Sequence, residues 1–95
     1  MTRNIVSLNK YCLFTFKSTT HALKAEKILL ANSADFIIMP TLREITASCG
    51  LSVKMDNKNW RRYAQILKEH QIIVDKIYSV QKMDQDNQIK ELCPE

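Results

Sequence analysis

One glycine and two prolines are all the backbone punctuation this 95-residue chain carries. So little glycine rules out a GxGxxG dinucleotide turn or a P-loop, because both need several glycines to bring backbone amides against phosphate. The three cysteines, Cys12, Cys49 and Cys93, are odd in number and far apart. No CxxC pair and no Cys/His ligand set is present, which argues against a zinc site and against a disulfide scaffold. Two histidines, His21 and His70, have no partner ligand four residues away, so neither metal binding nor acid–base catalysis finds support. No apolar stretch is long: the run Phe36 to Met39 is far short of a membrane span. The opening Met1-Thr2-Arg3-Asn4 leads into mixed polar residues with no signal-type apolar region. The expected compartment is the cytoplasm, with no membrane partner, no cofactor and no metal.

What is present fits one small soluble domain: 45% apolar and 25% charged residues are ordinary for a globular fold. The charge is uneven. Residues 1–83 hold 13 Lys and Arg against 6 Asp and Glu, whereas residues 84–95 hold 1 against 4. A basic body suits an anionic partner, and it equally suits plain solvated helix faces. No RRM-type aromatic strand is present, so nucleic acid is not expected.

Periodicity divides the chain into a leader (1–10), a domain (11–83) and a polar tail (84–95) expected to be flexible. "YCLFTF" at Tyr11–Phe16 reads as a buried strand. Ser18 then offers an N-cap, and Ala22, Ala25, Ile28 and Leu29 recur at helical spacing up to Asn32-Ser33. "DFIIMP" is a second strand closed by Pro40. "LSVKM" alternates, placing Leu51, Val53 and Met55 on one face and Ser52 and Lys54 on another that should be wet. "WRRYAQILKEH" is a second helix, with Trp60 and Tyr63 as core anchors or, less simply, a base-stacking patch beside Arg61 and Arg62. "IIVDKIYSV" is a fourth strand. The order β-α-β-β-α-β predicts an α+β ferredoxin-like sandwich, two helices on one face of a four-stranded antiparallel sheet. Strands one and two are apolar in both directions. The helix-free face therefore needs cover, and a homodimer or another partner is expected on that open face.

The segment "PTLREITASCGL", residues 40–51, departs from routine packing. Thr41 and Glu44 form a capping-box pattern for one short turn. Gly50 stands where a left-handed exit would be needed. Between them lies Cys49, with Arg43 and Lys54 near in sequence as sources of positive charge that favour a thiolate. Thr46 and Ser48 are candidate donors to a sulfur anion, and Gly50 leaves room for a close approach. A free cysteine before a strand is equally a small buried hydrophobe. Cys12, inside an apolar strand, reads as core, and Cys93 lies in the tail. A redox pair would require Cys12 or Cys93 within disulfide reach of Cys49.

The stretch "PTLREITASCGLSVKM", with "YCLFTFKSTTHALKAEKILLAN" upstream, resembles a family of small bacterial and archaeal selenium/sulfur carrier-like proteins. Arg43-Glu44 and Ser48-Cys49-Gly50-Leu51 are the most specific part of the likeness. Leu42 and Ala47 depart from it, standing where that family usually has proline and serine. The resemblance implies a carrier rather than an enzyme. Cys49 would accept sulfur or selenium from a donor such as a cysteine desulfurase and pass it to an acceptor, with Arg43, Thr46, Ser48 and Gly50 shaping the site. The alternative is a ferredoxin-like binding or regulatory module for an anionic ligand or RNA, with Cys49 structural.

Overall fold

The structure is a computed structural model that describes residues 9–42, 45, 50–83 and 87–92. The elements run β1 (Lys10–Phe16), α1 (Thr19–Ala31), β2 (Phe36–Pro40), β3 (Leu51–Met55), α2 (Trp60–Glu69), β4 (Val74–Lys82) and β5 (Asn87–Leu92). One antiparallel sheet has the order β2-β3-β1-β4-β5. The predicted β-α-β-β-α-β order is present, but the sheet has five strands, not four. The fifth forms where the composition suggested a loose tail. "NQIKEL" escapes detection because its apolar residues fall on opposite faces: Ile89 pairs with Val80 and Leu92 with Ile77. An edge strand of this kind needs little apolar surface, since its ladder bonds and those two pairs hold it.

Alternation along β1 sorts the core into two layers. Cys12, Phe14 and Phe16 join Val53, Met55 and Ile77 beneath α1 and α2, which contribute Ala22, Ala25, Leu29, Tyr63 and Leu67. Each fully buried side chain of this size is worth about 1.5–3 kcal/mol in transfer from water. Tyr63 is thus a core anchor, and Arg61 and Arg62 lie over the rings of Trp60 and Tyr63. Where the β1–β4 register slips beside Thr15, that residue's hydroxyl replaces ladder bonds by pairing with the N–H and C=O of Lys76 at 3.2 Å.

The shortage of glycine shows at the helix ends. Ser18 caps α1 by accepting from the His21 N–H. Both helices close in the same way: Ala34 donates to Leu29 and Ser33 to Leu30, while Ile72 donates to Leu67 and Gln71 to Lys68. This closure places the residue after the cap in the left-handed region, normally a glycine position. Here Ser33 (φ 57°) and Gln71 (φ 61°) occupy it. Gly50, expected to be left-handed, is not.

The second layer, on the helix-free face, corrects the expectation of a wet surface. Ser52 and Lys54 do point there, as the alternation of β3 requires, yet they are 0% and 6% exposed. Ile45, from the connection between β2 and β3, is buried with Tyr11, Leu13 and Val80, and Leu42, Met39, Tyr78 and Ile89 pack around them. The chain itself supplies part of the cover that this face was expected to take from a partner. Among the described residues no helix is long and apolar enough to cross a membrane.

Candidate functional site: the 41–50 loop over the sheet

Strands β2 and β3 form a hairpin whose loop spans residues 41–50, and its base is closed by two contacts. The Thr41 N–H donates to the Gly50 carbonyl at 2.9 Å, continuing the β2–β3 ladder one pair beyond Pro40 and Leu51. The hydroxyls of Thr41 and Ser52 share a hydrogen bond of 2.7 Å. Ser52 is fully buried, so this bond satisfies a group that would otherwise be costly. Ile45 donates its N–H to the Leu42 carbonyl at 3.0 Å, while Glu44, on which the expected capping box depends, lies outside the described residues. The Ile45 side chain anchors the loop in the second layer. Thr41, Ile45 and Gly50 are thus fixed points along the loop, and Ile45 sits on the helix-free face.

A buried lysine lies on that face: Lys54 of β3, four residues after Gly50, places its Nζ 4.2 Å from the centroid of the buried Tyr11 ring. Burial, and then repulsion from Lys82, pushes the Lys54 ammonium below the usual lysine range. Sequence reading placed Lys54 near the loop but missed its burial. The two-sided apolarity of β1 was the available signal, since a face lined by Tyr11 and Leu13 was bound to be covered.

Of the residues expected to form the site, Gly50 is described and is exposed. A Cβ built on Gly50 would meet nothing within 4 Å, so neither backbone conformation nor crowding within the chain requires glycine there. Arg43, Glu44, Thr46, Ser48, Cys49 and the tail residue Cys93 lie outside the described residues. Cys12 has the chemistry of a packing residue. It is 0% exposed on the helix-covered face, donates its thiol to Asn57 Oδ1 at 3.0 Å, and has its pKa pushed up to about 12 by burial and the Asp56 carboxylate. Such a thiol stays protonated and neither attacks nor resolves.

His21 and His70 do not converge on a ligand set. His21 Nδ1 accepts the Ile73 N–H, and His70 caps α2. Among the described residues no group of three or more His, Cys, Asp or Glu side chains is placed to hold a metal ion. A groove of about 560 Å³ lies on the other side of the sheet, beneath α2, with Ala64, Ile72, Ile73 and Ile77 in its walls. Lys68 and Gln71 line it as well.

No curated protein matches this chain, and no solved structure does. Residues 11–79 match the model of the family described as "Putative Se/S carrier protein-like", a stretch running from the start of β1 into β4 and including the whole 41–50 loop. The chain belongs to that family.

Proposed function

We propose that this protein carries sulfur or selenium on Cys49, moving it between protein partners rather than catalysing a reaction of its own. One observation carries the reading: the family match spans a loop that is pinned at Thr41, Ile45 and Gly50, and Cys49 is the cysteine within it. The fold is read as a ferredoxin-like arrangement extended by β5, which serves as a platform for that loop.

The transfer balances without an added oxidant. The Cys49 thiolate attacks the outer sulfur of a donor persulfide, such as the one on a cysteine desulfurase. A new S–S bond forms at Cys49, the donor's S–S bond breaks, and the donor cysteine leaves as a thiolate. An acceptor thiolate then attacks the same outer sulfur, and Cys49 leaves in turn. Both steps pass through anions. Arg43 is assigned to steady them from the loop, and Lys54 with Lys82 supplies positive potential on the face where the loop is anchored. Thr46 and Ser48 are assigned as hydrogen-bond donors to sulfur. Gly50, with open space above it, lets a partner's reactive loop come close.

The test is loading. The protein is incubated with a cysteine desulfurase and cysteine, then weighed intact without reductant. The wild-type chain gains the mass of one sulfur atom, and Cys49→Ser gains none. Absence of an adduct on the wild type, or an adduct that survives Cys49→Ser, overturns the proposal.

A further inference from the structure

Among the described residues, the two edges of the sheet differ in a way that points to a partner for one of them. The β5 edge carries Gln88, Lys90 and Glu91, charged and polar side chains of the kind that discourage strand pairing. The β2 edge reads Phe36-Ile37-Ile38-Met39-Pro40, with no charge and with its four apolar residues half-buried.

The hydrogen-bond phase of β2 follows from one contact. Thr41 donates to Gly50, and the register pairs Pro40 with Leu51, Met39 with Ser52 and so on down the hairpin. Antiparallel pairs alternate between bonded and non-bonded. Thr41, Met39 and Ile37 therefore turn their N–H and C=O groups inward to β3. Phe36 and Ile38 turn theirs outward, and Pro40 turns out a carbonyl with no N–H. The outward groups are self-complementary in one register. With Ile37 facing its own mate across a two-fold axis, Phe36 of each copy meets Ile38 of the other, and every outward N–H of the two residues finds a carbonyl. Pro40 ends the ladder in either direction, so it fixes this register rather than blocking the edge.

The helix layer adds exposed apolar side chains on the same side. His21 and Ile28 mark the flank of α1 turned toward α2: His21 bonds the Ile73 N–H, and Ile28 shares a small cleft with His70 and Ile72. Leu23 and Leu30 project from the opposite flank, toward the β2 side, and are 48% and 64% exposed. Glu26 lies on that flank too, so the helix adds two exposed leucines on the β2 side rather than a continuous apolar wall.

We propose that two copies of this chain join edge to edge through β2, antiparallel about Ile37, into one continuous sheet. This contact is separate from the 41–50 loop and does not depend on what Cys49 carries. It also differs from the sheet-face dimer expected from sequence, since Tyr11, Leu13 and Val80 on that face are already buried under Ile45.

Sedimentation equilibrium of the full chain, joined to amide hydrogen exchange of the wild type, tests the proposal. The chain should sediment at twice its 11.0 kDa mass. The Phe36 and Ile38 amides should be protected at high concentration and lose protection on dilution. Ile37→Lys places like charges directly opposite each other at the axis, and it should weaken association by about tenfold or more while leaving the circular dichroism spectrum unchanged. A monomer at all concentrations, fast exchange at Phe36 and Ile38 in a dimer, or a dimer indifferent to Ile37→Lys would each overturn it.

Discussion

A buried lysine is the residue that most changes how this sheet is read. Alternation along "LSVKM" correctly assigned Lys54 to the face away from the helices, but periodicity reports only direction, not what lies above. Lys54 is nonetheless 6% exposed, on a face where Ile45, an apolar residue of the loop, is buried as well. The consequence is measurable as pH dependence. Lys54 titrates below its ordinary 10.5 in the folded chain. Between that lowered value and 10.5, the unfolded chain holds a proton that the folded chain has released. Stability therefore rises with pH across this window, and Lys54→Met should flatten the rise in urea titrations. Equal slopes for the two proteins would refute the burial account. Gly50 allows a complementary test. Because a Cβ there meets nothing and the backbone is not left-handed, Gly50→Ala should change stability by no more than about 0.5 kcal/mol. Sulfur loading should nonetheless slow, since the added methyl occupies the space proposed for a partner's approach. Loss of stability with loading intact would reverse both expectations.

Among the elements, the helices and four of the strands were legible: the helices from their period and stop signals, such as Ser18 before α1 and Asn32-Ser33 after it, β1 and β2 from compact apolar runs, β3 from its alternation, and β4 with its bounds moved from 72–80 to Val74–Lys82. β3 matches its expected bounds, Leu51–Met55. β5 was not legible, because a polar edge strand shares its composition with a disordered tail. The left-handed positions were not legible either. The chain has one glycine, and it is not where the backbone needs one. Ser33 and Gln71 bear that strain instead. Gln71→Gly should accordingly stabilise the protein by about 1 kcal/mol in chemical denaturation, the usual penalty for a side chain in that region. A fall in stability would mean that the Gln71 side chain contributes more than its backbone costs. The loop is an element in the same sense, held by Ile45. Truncation in Ile45→Ala should cost about 2 kcal/mol or more and should also alter the reactivity of Cys49, whereas a comparable truncation at Leu67 beneath α2 should lower stability alone.

At the scale of the whole molecule, two helices cover one face of a five-stranded sheet, and the hairpin loop covers part of the other. The first arrangement was readable from the element order. The second was not, since a loop that packs depends on long-range contacts that no local pattern encodes. Cys12 is sealed in the helix-covered core and kept protonated, while Cys49 belongs to the segment that joins β2 to β3. The central claim is that this loop exists to present a reactive thiol, and native-state alkylation across pH tests it most directly. In a Cys93→Ser background with Cys12 silent, Cys49 should react near neutral pH with a midpoint well below that of an ordinary thiol, about 8.5. If no cysteine is labelled until the protein unfolds, the loop holds Cys49 as packing and the carrier reading fails.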